Sequence, residues 1–315
     1  MNIKPNLFLR ATLLILICAL TATLSEAQTE EQLDPQETLS INTRLVKVTI
    51  AGTDAANRAL NDPLALHLYA DDLPQKIADS RRDDPATVSL LVDVSDSMKG
   101  EAAEQCRYLI SEFLKASNPL NHYLLFVFNN TLQFMGEFEG DETGRGLLLE
   151  ALRQRKYHGA TALYTVARET LRHNYFVRDA RGRRKAFVIF TDGVDTASLL
   201  KSNELSYDLD SFGGFSGIVI LGPPYQMGAP SIQPRSYTKQ LALAAERALG
   251  GESYVARGPY EEIRKVGRRL AGRIEHSIEL NFYATGEVAA PGPHTLRVET
   301  ATGERLSSRR RYVIE

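Results

Sequence analysis

Four stretches of the chain are apolar almost without interruption: Val88 to Val92, Tyr123 to Phe128, Ala186 to Phe190 and Gly217 to Leu221. Runs of this kind suit central strands of a parallel sheet, which bury side chains on both faces. Between them apolar residues recur at helical spacing, as Ala103, Cys106, Leu109, Ile110, Phe113 and Leu114, then Leu147, Leu148 and Leu152, then Leu163, Val166, Ala167 and Leu171. Leu241, Ala244, Ala245 and Leu249 continue the pattern until Gly250-Gly251 stops it, and Ser253-Tyr254-Val255 reads as a short last strand. Strand and helix in alternation predict a doubly wound, mostly parallel α/β sheet over residues 85–274.

On either side the period changes to two. Val46, Val48 and Ile50 alternate with Lys47 and Thr49, and Leu64, Leu66 and Leu68 with Ala65 and His67, before a turn at Asp71-Asp72 and Pro74. After Arg273 the same period returns in Ile278, Leu280 and Phe282, in Leu296 and Val298, and in Tyr312-Val313-Ile314. Residues 41–84 and 275–315 each offer too few strands to bury a face alone, so they are expected to pair into one small β-sandwich-like domain. Two separate hairpin extensions packed on the α/β body are the alternative.

Residues 1–27 fit neither pattern. Lys4 and Arg10 precede the apolar stretch Ala11 to Leu24, which ends in Ser25-Glu26-Ala27, the form of a secretory signal with a small-x-small cleavage site. The stretch is shorter than the roughly 20 residues a spanning helix needs, so no membrane span is expected after cleavage. Residues 28–40 are polar and acidic and read as a linker. Without residues 1–27, which hold Lys4, Arg10 and Glu26, the net charge moves from -2 to -3. That balance gives no footprint for nucleic acid, and Arg309-Arg310-Arg311 reads as a solvated strand edge. Cys106 is then the one cysteine left, so no intramolecular disulfide forms in an exported protein. It lies on an apolar helical face and reads as a core residue.

The candidate chemistry sits where the apolar runs end. Asp93, Ser95 and Ser97 recur with period two in Asp93-Val94-Ser95-Asp96-Ser97-Met98, directly after the first central strand, so an extended chain puts their oxygens on one side. Thr161 stands in Gly159-Ala160-Thr161-Ala162-Leu163 before a predicted helix. Asp192 stands in Thr191-Asp192-Gly193-Val194-Asp195 after the third run. Ligands of open α/β sheets bind at this rim, beyond the carboxyl ends of the strands. Each motif also has a structural reading: Asp96, Ser97 or Thr161 as an N-cap, Asp192-Gly193 as a turn.

Taken in order, the three motifs resemble the von Willebrand factor A domain and its metal-ion-dependent adhesion site. The resemblance implies that Ser95, Ser97 and Thr161 supply hydroxyls around a divalent cation, Mg2+ with Ca2+ or Mn2+ as alternatives, and that Asp93 and Asp192 supply the acidic positions. It implies a non-enzymatic binding protein whose cation accepts an acidic side chain from a protein partner. From about Ile41 to the end the chain is similar to the secreted acidobacterial von Willebrand factor A-related proteins, with Asn61-Asp62-Pro63 and Arg311-Tyr312 departing from that family's flanking motifs.

Other chemistries fit less well. A haloacid dehalogenase-type phosphatase needs a carboxylate where Ser95 stands. Gly214-Phe215-Ser216-Gly217-Ile218 fails the nucleophile-elbow pattern at its last position and reads as a loop. Val94 to Gly100 lacks a dinucleotide glycine pattern, and the six histidines show no zinc spacing, although His158 falls near the rim. A metal-assisted hydrolase at the same rim and a metal-free envelope scaffold remain as alternative functions.

Overall fold

The computed structural model describes residues 43–50, 66–82, 84–173, 182–221, 252–256, 258–303 and 310–314. The expected signal (1–27) and linker (28–40), Leu64, Asn61-Asp62-Pro63, the Leu241–Leu249 helix with its Gly250-Gly251 stop, and Arg309 lie outside the described residues.

The central sheet has six strands: β5 (Ala86–Asp93), β6 (His122–Phe128), β7 (Leu132–Glu139), β8 (Arg184–Thr191), β9 (Phe215–Leu221) and β10 (Glu252–Ala256). They lie in the order β10-β9-β8-β5-β6-β7. All pairings are parallel except β6 with the edge strand β7. The four apolar runs of the sequence are β5, β6, β8 and β9, and every residue of β5, β6 and β9 is buried.

Helices cover both faces. α1 (Glu101–Ala116), α2 (Glu142–Arg153) and α5 (Tyr260–Glu275) pack on the face that presents Val88, Leu90 and Val92. α3 (Leu163–Leu171) and α4 (Ser202–Phe212) pack on the face that presents Leu91, Phe126 and Ile189. Alternate residues of one buried strand thus feed two cores, which is why the strands read as unbroken apolar runs.

The flanks form β1 (Thr43–Ile50), β2 (Leu66–Ala70), β3 (Leu73–Gln75), β4 (Ile77–Arg81), β11 (Ile278–Thr285), β12 (Gly292–Thr300) and β13 (Arg310–Ile314). One sheet runs β1-β11-β4 and the other β13-β12-β2-β3. Val48, Phe282, Leu68 and Val298 from the two sheets share a third core. N-terminal strands pair with C-terminal ones in both sheets, so the flanks build one sandwich and the chain leaves and re-enters it. The fold is therefore a doubly wound, mostly parallel α/β sheet with a flanking β layer.

Several expectations are corrected. Leu147 is 60% exposed, because α2 turns Leu148 and Leu152, one helical turn apart, toward the sheet, with Leu149 and Ala151 packed beside them. Ser216 lies inside strand β9 and is buried, so its segment is no loop. Arg311 is no purely solvated edge residue: its Nη2 meets Asp210 Oδ2 of α4 at 2.9 Å, fastening β13 to the α/β body. Strand β7 and helix α4 were not anticipated.

Candidate metal centre

Strand β5 is flanked by β6 on one side and β8 on the other, so the chain reverses its direction of travel across the sheet there. Such a switch point leaves a crevice at the carboxyl ends of the strands. β5 ends at Asp93 and β8 at Thr191, and Val92 pairs with Phe190 in register.

Asp93 is fully buried. Its Oδ1 accepts the Ser95 backbone N–H at 2.9 Å and its Oδ2 accepts the Thr191 hydroxyl at 2.7 Å. Burial pushes its carboxyl up to about 6, against the hydrogen bonds from Ser95 and Thr191, and the neighbouring Asp192 charge adds to the rise. Ser95 Oγ and Ser97 Oγ lie 3.2 Å apart. Ser95 is buried and Ser97 exposed, so the pair runs from the core to the surface.

The loop before α3 is tied to this segment by a reciprocal contact. Asp96 N donates to Gly159 O at 3.0 Å, and Gly159 N donates to Asp96 Oδ2 at 3.1 Å. Gly159 holds φ +86, a conformation side chains rarely adopt. His158 N donates to Val94 O at 2.8 Å. On its other side the same loop meets the segment after β8: Thr161 N donates to Thr196 Oγ1 at 3.0 Å, and Thr161 O accepts from Thr196 N and Ala197 N, both at 2.9 Å.

Thr161 is not the helix cap that the sequence also allowed. The N-cap position of α3 is Ala162, and the first turn is satisfied instead by Ser198 Oγ, 2.9 Å from Tyr164 N, with Asp195 Oδ2 at 3.4 Å. The Thr161 side chain is buried and makes no hydrogen bond to the other four candidates among the described residues. Asp192 Oδ1 accepts from Val194 N at 3.0 Å, turning the loop locally, while its charge acts on Asp93. The structure thus joins Asp93, Ser95 and Ser97 directly, and ties the loops that carry Thr161 and Asp192 to the same segment through Gly159 and Thr191.

The donor set consists of oxygen, which suits a hard cation such as Mg2+. It is lean in charge: among the described residues no three His, Cys, Asp or Glu side chains converge to hold an ion, and the five candidates include two carboxylates and three hydroxyls. A positive charge at this rim would offset the burial of Asp93 and its repulsion from Asp192, so the residues present fit the group. Thr191, Thr196 and Ser198 orient the site's loops. Thr191 opens the third sequence motif but is not among the candidate ligands, and the other two match no motif. Cys106 is buried and its thiol is pushed up by burial, which agrees with a core role.

No protein-family model and no curated protein matches the chain. Solved structures that align with it include a von Willebrand factor type A protein from Catenulispora acidiphila, 11% identical over 86% of this chain and 73% of that one, with a TM-score of 0.47. BatB from Bacteroides thetaiotaomicron is 13% identical over 59% of this chain and 97% of that one, at a TM-score of 0.42. The manganese-loaded TRAP protein of Plasmodium vivax is 12% identical over 74% and 90% of the two chains, at 0.44. At such identities residue roles do not carry across, and the site stands on its own geometry.

Proposed function

We propose that the protein is an exported, non-enzymatic interaction module that binds an acidic side chain of a protein partner through a divalent cation, Mg2+ in the first instance. The observation that carries this reading is the knitting of three sequence-distant loops at the sheet's switch point, around Asp93, Ser95, Ser97, Thr161 and Asp192. Ser95, Ser97 and Thr161 hold the cation with hydroxyls, and Asp93 and Asp192 hold it electrostatically or through water. When bound, the cation supplies an electrophilic position for a partner carboxylate, sharpened by the scarcity of protein charge around it.

One such contact gives modest affinity, so the surrounding surface contributes the rest. Leu199, at the end of the loop that carries Asp192, is 92% exposed and offers an apolar contact there. No catalytic residue is assigned: His158, in the loop bonded to Val94, is exposed and its Nδ1 lies 3.3 Å from the Asn129 amide. The secretory form of residues 1–27 supports export, and among the described residues no helix is long and apolar enough to cross a membrane. Residues 85–274 are the binding body in this reading, with 41–84 and 275–315 as its flank.

Calorimetric titration of Mg2+ into EDTA-stripped protein tests it. We expect saturable binding that weakens tenfold or more in Thr161→Ala and Asp93→Ala. Absence of binding, or unchanged binding in both variants with the fold intact, overturns the reading.

A further inference from the structure

Beside the rim lies a cavity of about 350 Å³ whose lining includes Val94, Phe128, Asn129, Arg155, Lys156 and His158. It adjoins the candidate site directly, because Val94 follows Asp93 in the chain and His158 N is bonded to Val94 O. Phe128 is the register partner of Asp93 on the neighbouring strand. Among the described residues no carboxylate lines the cavity.

Two cations, Arg155 and Lys156, line it. Arg153 nearby is held by Glu150 at 2.9 Å, whereas Arg155 and Lys156 have no carboxylate partner among the described residues. Arg155 Nε is also buried with no hydrogen-bond acceptor. That nitrogen is closed to solvent, so a ligand in the cavity is met by the end of the guanidinium, whose planar fork takes a carboxylate best in bidentate fashion. The Asn129 amide is spent on His158, to whose Nδ1 it lies at 3.3 Å and to whose carbonyl oxygen it donates at 3.0 Å, so it holds the His158 ring against the cavity wall beside the two cations.

We propose that this cavity is a second contact for the same partner: it takes a further carboxylate of the segment whose first carboxylate reaches the cation. The recognised feature is then a run of acidic residues in a protein, not a lone acidic side chain. This inference rests on the metal-binding reading above for its first contact, while the cavity itself is independent of the cation.

The test uses two amidated, fluorescein-labelled hexapeptides, hexaglutamate and one with a single glutamate among serines, followed by anisotropy in Mg2+ and in EDTA. We expect wild-type protein to prefer hexaglutamate by tenfold or more. In Arg155→Gln/Lys156→Gln that preference disappears, while Mg2+ affinity and single-glutamate affinity stay within twofold and the thermal melt is unchanged. Equal hexaglutamate affinity in wild type and double variant, or no preference in wild type, overturns the proposal. Failure of the metal reading looks different: hexaglutamate binding that ignores both EDTA and Thr161→Ala, yet falls in the double variant, removes the cation and supports the basic cavity.

Discussion

At the scale of single residues, the most consequential contact is the one from Thr191 to Asp93. A buried carboxylate survives only with its lone pairs satisfied, and Thr191 Oγ1 does so at 2.7 Å while accepting Gly193 N at 3.0 Å. Thr191 therefore acts through Asp93 and sets its orientation. Replacing it with valine keeps the branched shape but removes both hydrogen bonds, for an expected loss of about 1–3 kcal/mol in urea unfolding. In the proposed cation-binding reading, groups that orient a metal ligand usually cost 10- to 100-fold in metal affinity when removed, so Mg2+ binding should fall by about tenfold as well. Thr191→Ser, which restores the hydroxyl without the methyl, should recover most of the Mg2+ affinity. A serine variant as weak as valine would show that packing, not the hydroxyl, matters.

At the scale of elements, the turn between β2 and β3 shows how local chemistry fixes a register. Asp71 and Asp72 take φ of 47 and 66, the left-handed pair that a two-residue hairpin needs. Asp71 then reaches across to β12: its Oδ1 accepts from Thr295 N at 2.8 Å and its Oδ2 lies 2.7 Å from His294 Nδ1. Burial works to raise its carboxyl, but the contacts with His294 and Thr295 outweigh it and hold the group below the usual carboxylate range. A group depressed in the folded state adds stability above its unfolded pKa, near 4, and that stability is lost as pH falls through the folded value. The urea midpoint of wild type should therefore exceed that of Asp71→Asn at pH 7, and the gap should close towards pH 3. Asparagine tolerates the same φ, so backbone strain does not confuse the comparison. A gap of equal size at pH 7 and pH 3 would show that charge is not its source.

The same scale shows what could be read from the chain. The central strands were legible because burial on both faces leaves an uninterrupted apolar signature, and the Asp71-Asp72 turn because few residues accept its backbone. Strand β7 was not, since as an edge strand it is mostly half-exposed, and Gly136 at φ 142 interrupts its rhythm. Helix α4 escaped because it sends few apolar side chains inward, chiefly Leu205 and Leu209 one turn apart. At the candidate site the motifs named which oxygens to consider, but the hydrogen bonds that lock their loops together come from Gly159, Thr191, Thr196 and Ser198. Those link segments tens of residues apart and leave no local pattern.

At the scale of the whole molecule, the chain passes twice between sandwich and α/β body, and one side chain sits at both crossings. Arg184, at the start of β8, is almost wholly buried. Its Nε donates to Asp84 O at 2.7 Å, just before β5, and its Nη1 donates to Ile274 O at 2.7 Å, in the last turn of α5, and to Ser277 O at 3.1 Å, between α5 and β11. The guanidinium therefore clamps the outgoing and returning segments together at the foot of the sheet, opposite the candidate metal rim. Its charge is compensated by backbone carbonyls and by Glu275, 3.9 Å away. Arg184→Met fills similar volume but strands those carbonyls, and should cost about 3–5 kcal/mol, the range for breaking a buried charged network. Equilibrium urea unfolding followed by tyrosine fluorescence, in a chain without tryptophan, measures this directly. Arg184→Lys retains a charge but not the planar fork, so it should recover only part of the loss. A methionine variant within about 1 kcal/mol of wild type would place the coupling between the two bodies elsewhere, with the Asp210–Arg311 pair and the Arg81–Gly182 hydrogen bond as ties to examine next.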